Sequence, residues 1–266
     1  MEPKIATKEL VTNESHSGNR MPRDTAVWTA LEDVLAANEH GPRHILELWP
    51  CYVRRVHMAR FLAHYELFKQ VIDLPGCVVE MGVYRGPSLL TWAKLMETFC
   101  PGDRSRRIFG FDSFKGLQDF NPKDGKPVPD VSKVVGGWSA EKVKAEVEEL
   151  VRISNLDNFI SGHERCKLIT GNITLEFLLQ WLEENPGLRI SLLHLDVDLY
   201  EPTLAALKAF YPRVVTGGVV IFDEYGLMPW EGESQAVDEY FASIGERPLI
   251  KKFPTFHNPH GYMIKS

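Results

Sequence analysis

The 266-residue sequence contains little cysteine, no excess of basic charge and no long apolar run, and each absence excludes a class of protein. Its cysteines, Cys51, Cys77, Cys100 and Cys166, show no C-x-x-C spacing, which favours free thiols in a reducing compartment over a zinc site. The formal net charge of −6 does not favour nucleic acid as a partner. Because signal-peptide and membrane-spanning runs are also missing, we expect a cytoplasmic protein with no membrane partner.

The rest of the composition, 44% hydrophobic and 25% charged, is typical of one large globular α/β domain with additions. Residues 1–23 are mostly polar, so we expect a mobile segment that can act as a lid. Residues 24–75 hold two helical patterns, Thr25–Asn38 and Val56–Ile72, which predict an N-terminal helical cap. The apolar positions of the second pattern are Met58, Phe61, Leu62, Tyr65 and Phe68.

From residue 76 to 266, short apolar runs alternate with helical patterns, which predicts βαβ units and a mostly parallel sheet. The parallel strands are expected at Cys77–Val79, Ile108–Phe111, Lys167–Thr170, Ile190–Leu195 and Val219–Phe222. The helices between them are expected at Ser88–Phe99, Ala140–Ile153, Leu175–Glu184 and Pro202–Tyr211. Two final runs, Leu249–Phe253 and Tyr262–Ile264, predict an antiparallel hairpin at one edge. The sequence therefore predicts a seven-stranded, Rossmann-like α/β domain.

A long segment without periodicity, Lys115–Trp138, follows the second predicted strand. Loops of this length in a compact domain are commonly functional, and ligands of open α/β sheets bind at the carboxyl ends of strands. We expect this segment to form part of the substrate wall or a lid.

The first predicted strand runs into a glycine-bearing turn, Glu80-Met81-Gly82-Val83-Tyr84-Arg85-Gly86-Pro87-Ser88. Glycines let the backbone pass close to a ligand, and the following helix presents free N–H groups. The second strand ends at Asp112, whose carboxylate can accept hydrogen bonds from both hydroxyls of a ribose. These features predict an adenosine-containing ligand.

Nicotinamide dinucleotides and S-adenosylmethionine both contain adenosine. The G-x-G-x-x-G fingerprint of the first is absent, and Glu80 suits the ammonium group of the second. A plain glycine turn, as in any α/β protein, is the alternative. The expected cofactor-binding residues are Glu80, Met81, Gly82, Gly86, Ser88, Asp112, Ser113, Gly171, Asn172 and Asp196.

Four acidic residues follow two neighbouring predicted strands: Asp196 and Asp198 after the fourth, Asp223 and Glu224 after the fifth. The two-residue period of a strand sends Asp196 and Asp198 to one side if the strand continues that far. Four crowded carboxylates need a cation, and an oxygen-only set suits Mg²⁺, Ca²⁺ or Mn²⁺. The alternative is that some of these acids cap the following helices.

A metal beside a bound methyl donor predicts methylation of a hydroxyl on a small molecule: the metal acidifies the hydroxyl, a carboxylate takes its proton, and the oxyanion attacks the methyl group. A metal-dependent hydrolase and an inactive binding module on the same fold are the alternatives. His57, His194, His257 and His260 are expected to be surface or satisfied core histidines rather than catalytic bases.

Four blocks of the sequence resemble the macrocin O-methyltransferase (TylF-type) family. They are Glu80–Gly86, Gly110–Leu117, the D-x-D-x-Y-E-P-T block Leu195–Thr203, and Gly217–Tyr225. The resemblance extends from about Val56 to the C-terminus. It implies a class I methyltransferase fold, S-adenosylmethionine as cofactor, and a deoxysugar hydroxyl of a natural product, or a nucleotide sugar, as acceptor.

The resemblance also implies roles for single residues. Asp196, Asp223 and Glu224 would hold Mg²⁺, Asp198 would be the general base with Asp196 beside it in the catalytic set, and Asp112 would bind the ribose. We also expect copies of the chain to associate. The sequence departs from the family pattern in having Asp223-Glu224 where Asp-Asp is common, and in the segment Met228–Glu233, which replaces a short link.

Overall fold

The computed structural model describes residues 23–118, 120–254 and 258–266. Nearly all of the predicted mobile segment, and also His257, lie outside these ranges. The chain divides into two compact units, one of residues 1–59 and 127–134, the other of residues 60–126 and 135–266. The domain limits expected from the sequence stay predictions.

The first unit contains helices α1 (Arg23–Ala36), α2 (Pro42–Glu47), α3 (Trp49–Tyr52) and the start of α4 (Arg55–Lys69). Both helices predicted in this region are present. Within this unit, the Arg54 guanidinium lies 4.9 Å from the centre of the Trp28 ring, which favours a cation–π contact. Among the described residues, no helix has the length and apolar character needed to span a bilayer.

A six-stranded sheet forms the centre of the second unit, with strand order β3-β2-β1-β4-β5-β6. The strands are β1 (Cys77–Met81), β2 (Ile108–Asp112), β3 (Cys166–Thr170), β4 (Ile190–Leu195), β5 (Val214–Phe222) and β6 (Gly261–Ile264). The first five are parallel, and β6 runs antiparallel to β5. This is the Rossmann-like, mostly parallel sheet that the sequence predicts.

The predicted count of seven strands is wrong by one among the described residues. The run Leu249–Phe253 contributes one isolated antiparallel bridge, Lys251 to Tyr262, instead of a full strand. Pro248 and Pro254 flank this run, and proline cannot donate to a strand ladder. The hairpin at the sheet edge is therefore present, but its outer arm is reduced to a single bridge.

Helices cover both faces of the sheet. The helices after α4 are α5 (Pro87–Phe99), α6 (Lys144–Leu156), α7 (Leu175–Glu184), α8 (Tyr200–Phe210) and α9 (Glu231–Ser243). Buried residues of α7, α8 and α9 pack against one face of the sheet, and those of α4, α5 and α6 against the other. Burying each large apolar side chain contributes about 1.5–3 kcal/mol to the stability of the fold. The strand ends are therefore held in place by a well-packed core.

The strand order reverses between β1 and β4, which are neighbours in the sheet although β2 and β3 lie between them in sequence. From β1 the chain builds outward through β2 and β3, and from β4 it builds outward in the opposite direction through β5. Ligands of open α/β sheets bind at such a switch point, outside the carboxyl ends of the strands. The candidate site is therefore expected beyond Met81 and Leu195.

Candidate active site

The glycine turn after β1 runs against the end of β4. Gly82 has φ +89°, and a Cβ atom there would overlap the carbonyl oxygen of Asp196. Gly86 has φ +85° and immediately precedes α5. Glycine is required at Gly82 both by its conformation and by this close approach. The turn thus brings the start of α5 and the residue after β4 to one place.

Asp112, at the end of β2, connects this turn to the next strand. Its Oδ2 accepts hydrogen bonds from the backbone N–H groups of Val83 and Tyr84, both at 2.7 Å, and its Oδ1 accepts one from Phe114 at 2.6 Å. Burial raises the pKa of Asp112, and the backbone hydrogen bonds oppose this shift. The carboxylate therefore holds the glycine turn, and its role as ribose partner stays a prediction.

A pocket of about 200 Å³ lies beyond the ends of β2 and β3. It is lined by Ser113, Lys115, Gln118, Thr170, Gly171 and Asn172. Three residues expected to bind the cofactor, Ser113, Gly171 and Asn172, are therefore brought together, next to Asp112. This position is consistent with the adenosine end of the predicted cofactor.

Three other residues expected to bind the cofactor, Glu80, Met81 and Ser88, have buried side chains that contact other parts of the protein. Glu80 is fully buried, with its Oε2 3.6 Å from His194 Nδ1. The side chain of Met81 packs in the core, while its carbonyl accepts a hydrogen bond from the Asp196 N–H at 2.9 Å. Ser88 Oγ lies 3.3 Å from Nη2 of Arg60. Their contribution to cofactor binding stays a prediction.

Asp196 and Asp198 do not continue the strand, since β4 ends at Leu195. Asp198 lies at the centre of a tight turn, with φ +63°, in which the Leu199 N–H donates to the Val197 carbonyl at 2.6 Å. A side chain other than glycine in this conformation costs about 1–3 kcal/mol, and such strain concentrates at functional sites. The turn, not the strand pleat, brings the two acids together.

One carboxylate oxygen from each of Asp196, Asp198 and Glu224 lies within 4.8 Å of the others. Asp223 belongs instead to a second group within the same limit, together with His194 and Asp196. The four predicted acids are thus adjacent, but they form two overlapping groups that share Asp196.

Arg60, His194 and Asn258 surround the Asp223 carboxylate. Nη1 of Arg60 and Nδ2 of Asn258 each donate to Asp223 Oδ2 at 2.9 Å, and His194 Nε2 lies 3.2 Å from Oδ1. Nη2 of Arg60 also donates to Asp196 Oδ2 at 2.8 Å. The protein therefore supplies basic groups to the Asp223 side of the cluster.

The pKa shifts divide the acids in the same way. Burial raises the pKa of Asp223, but Arg60 and His194 outweigh it and hold that pKa well below its usual range. Burial and the neighbouring Asp223 raise the pKa of Asp196 to about 7, against the opposing effect of Arg60. Burial and the charges of Asp223 and Asp198 raise the pKa of Glu224 well above its usual range. The pKa of Asp223 is therefore lowered, whereas those of Asp196 and Glu224 are raised.

This donor set fits a divalent cation. Asp196, Asp198 and Glu224 offer only oxygen atoms, which are the ligands that Mg²⁺, Ca²⁺ and Mn²⁺ prefer. A cation would also offset the repulsion that raises the pKa of Glu224. Asp196 and Glu224 would hold a metal ion here, with Asp198, the predicted base, beside them and Asp223 adjacent.

Sequence reasoning missed Arg60, Asn258 and Glu233, and it assigned His194 no functional contact. Glu233, on α9, is fully buried, and its Oε1 accepts a hydrogen bond from the Glu224 backbone N–H at 3.0 Å. A signal was available for Glu233, because it ends the segment that departs from the family pattern. No local pattern marked Arg60 or Asn258, whose positions depend on distant parts of the chain.

The switch-point sheet, the glycine turn held by Asp112 and the carboxylates after β4 and β5 form the arrangement expected of a class I methyltransferase fold. Comparison with known families agrees: residues 43–250 match the family described as Macrocin-O-methyltransferase (TylF). The chain belongs to this family and is an S-adenosylmethionine-dependent O-methyltransferase. The hydrolase and inactive-module alternatives are therefore set aside.

Characterised relatives and solved structures agree with this assignment. The 8-demethyl-8-(2,3-dimethoxy-alpha-L-rhamnosyl)-tetracenomycin-C 4'-O-methyltransferase of Streptomyces olivaceus is 29% identical over 234 residues, which cover 85% of this chain and 82% of the relative. Demethyldecarbamoylnovobiocin O-methyltransferase of Streptomyces niveus is 31% identical over 172 residues, covering 65% and 60%. The crystal structure of CalS11, a calicheamicin methyltransferase, has a TM-score of 0.83 at 29% identity, covering 92% of this chain and 94% of CalS11.

Proposed function

We propose that this enzyme methylates a hydroxyl group of a deoxysugar, carried by a natural product or by a nucleotide, with the help of a divalent cation, Mg²⁺ by preference. The acceptor class is supported by the relatives. The Streptomyces olivaceus enzyme is named for a rhamnosyl group, and CalS11 is described as a TDP-rhamnose 3'-O-methyltransferase. Both names specify O-methylation of the same type of sugar.

One observation carries the metal part of the proposal: Asp196, Asp198 and Glu224 converge, one oxygen each within 4.8 Å, at the carboxyl ends of β4 and β5. The same place adjoins the glycine turn after β1, which approaches Asp196 at Gly82. Acceptor, cation and methyl donor would therefore meet at the switch point of the sheet.

The chemistry assigned to the chain's own residues is positioning and proton transfer. When bound, the cofactor would supply an electrophilic methyl group, and a cation held by Asp196 and Glu224 would supply a positive charge that favours an oxyanion. The carboxylate of Asp198 accepts the proton of the acceptor hydroxyl. Arg60 and His194 hold Asp223 in place through direct contacts, which keeps the cluster ordered. Asp112 holds the turn against which the cofactor is oriented.

The test is a panel of acceptors with S-adenosylmethionine labelled in its methyl group. The panel contains TDP-rhamnose, rhamnosylated aromatic natural products, the matching aglycones and a simple catechol. We expect label transfer to the sugar-bearing compounds only, its loss on chelation, and its return with added Mg²⁺. Transfer to the catechol alone would contradict the acceptor class, and full activity in excess chelator would contradict the metal. Oligomeric state and cytoplasmic location stay predictions from the sequence.

A further inference from the structure

The two departures from the family pattern, Glu224 and the segment Met228–Glu233, meet in the folded chain. The backbone N–H of Glu224 donates to Glu233 Oε1 at 3.0 Å, and both residues are fully buried. Glu233 lies in the first turn of α9, two residues after the helix begins, and Glu224 lies two residues after the end of β5. Position 233 thus adds a further buried carboxylate to the cluster predicted from the strand ends.

The second oxygen of this carboxylate, Glu233 Oε2, is buried and has no hydrogen-bond partner among the described residues. A buried acceptor without a donor costs about 1–3 kcal/mol, and more for a charged group. Native structures contain few such groups, and each calls for an explanation.

Direct metal binding does not explain Glu233. Within the described residues, the close groups of possible ligands contain Asp196, Asp198 and Glu224, or His194, Asp196 and Asp223, and Glu233 belongs to neither. Its Oε1 is already committed to the Glu224 backbone. Mg²⁺ keeps several water molecules when it binds to proteins, and such water needs acceptors.

We propose that Glu233 belongs to the divalent-cation site as a positioning residue: its Oε1 fixes the backbone of Glu224, and its Oε2 accepts a hydrogen bond from a water molecule in the hydration shell of the cation. This inference rests on the proposed function, because it requires a cation at Asp196 and Glu224.

The test measures Mn²⁺ binding directly, by the electron paramagnetic resonance signal of free Mn²⁺ during titration of the full-length protein without acceptor. Glu233→Gln keeps an oxygen for the Glu224 N–H but loses the negative charge toward the cation. Removing a group that supports a metal ligand commonly costs 10–100-fold in affinity, so we expect the Mn²⁺ Kd of this variant to rise about tenfold or more. Glu231→Gln is the matched control, since it removes the same charge from the same helix at a partly exposed position, and we expect its Kd to match the wild type.

The outcomes separate this inference from the proposed function. A wild-type protein that binds no Mn²⁺ overturns both this inference and the metal part of the proposed function. Wild-type binding with an unchanged Kd in Glu233→Gln overturns the role of Glu233 alone, as does an equal loss in Glu231→Gln. Should Glu233→Gln fail to fold, Glu233→Asp gives the same test: it keeps the charge but shortens the reach, and we expect weaker Mn²⁺ binding with unchanged affinity for S-adenosylhomocysteine. Unchanged Mn²⁺ binding in that variant overturns the inference.

Discussion

Nη1 of Arg60 lies 2.9 Å from Asp223 Oδ2, which makes an ion pair between residues 163 positions apart. The Asp223 side chain is 1% exposed and that of Arg60 is 27% exposed, so water screens the pair only weakly. The pair connects α4 with the end of β5. It places a positive charge beside the carboxylate cluster from within the chain itself, next to the position where a cation is proposed.

Arg60→Gln is therefore expected to destabilise the fold. Breaking a buried ion pair leaves the partner charge uncompensated and costs about 3 kcal/mol, although His194 and Asn258 still contact Asp223. Urea unfolding in the presence of a chelator measures the change in the free energy of unfolding. Arg43→Gln is the control, because Arg43 is 90% exposed and pairs with Glu47 at the surface. Equal stability of the two variants would show that the Arg60 pair contributes little.

The pKa of His194 predicts a pH dependence of stability. Burial lowers this pKa, but the Asp223 and Glu80 carboxylates outweigh burial and raise it from 6.5 to about 10. A raised pKa stabilises the fold fully below the unfolded value, and this stabilisation is lost as the pH rises from 6.5 to about 10. We expect His194→Gln to flatten the fall in the free energy of unfolding over this range, measured by urea titration without metal.

His163 provides the control for this measurement, since burial lowers its pKa below 6.5. A histidine with a lowered pKa destabilises the fold only below the pKa of the unfolded chain. His163→Gln should therefore change the free energy of unfolding only below about pH 6.5. If the free energy of unfolding falls equally steeply above pH 6.5 in the wild type and in His194→Gln, the pKa assigned to His194 is contradicted.

Asp112→Ala is expected to weaken cofactor binding. The substitution removes the acceptor for the N–H groups of Val83 and Tyr84 and also the predicted contact with the ribose. Hydrogen bonds to a charged group contribute about 1.5–3 kcal/mol, so the Kd for S-adenosylhomocysteine should rise about tenfold or more. Calorimetry measures this, with Mn²⁺ affinity as the internal control. An unchanged cofactor affinity would leave Asp112 a purely structural role.

The sheet was predictable because apolar runs bounded by polar residues specify strands with little ambiguity. The predicted limits of β4, Ile190–Leu195, and of α7, Leu175–Glu184, coincide with the structure. The outer hairpin arm, Leu249–Phe253, was overestimated because an apolar run does not reveal whether a neighbouring strand is available to pair with it. The acids after β4 and β5 were predictable for a related reason, since parallel strands bring their carboxyl ends together.

Arg60 was missed as a site residue because polar residues can lie on the inner face of a helix. The helical period of α4 was predicted correctly, but His64 is buried and Arg60 is half-buried, while Leu62 of the predicted apolar stripe is 40% exposed. Hydrophobic periodicity assigns polar residues to solvent. Arg60 and His64 are tolerated inside because partners from β4, β5 and α5 surround them, and a local pattern does not contain those partners.

Asp198→Asn should abolish most turnover while leaving the fold and the cofactor affinity intact. Asparagine tolerates the left-handed backbone that Asp198 adopts, so the turn is kept, but the amide does not take a proton. General base catalysis contributes about 10²–10⁴-fold, and kcat should fall by that factor. Single-turnover methyl transfer, with calorimetry of S-adenosylhomocysteine binding as the control, measures the effect. Near wild-type turnover would mean that another group or solvent accepts the proton.

Glu224 gives the most specific prediction about the metal. Burial and the charges of Asp223 and Asp198 raise its pKa, so its negative charge destabilises the metal-free protein and stabilises the metal-bound one. Glu224→Gln should therefore raise the melting temperature in chelator, yet increase the Mg²⁺ concentration needed for half-maximal activity. Glu224→Asp keeps the charge and, because Mg²⁺ retains water readily, should keep most activity. If Glu224→Gln leaves the Mg²⁺ dependence unchanged while Asp223→Asn abolishes it, Glu224 is not a ligand, and the cation is held on the Asp223 side of the cluster instead.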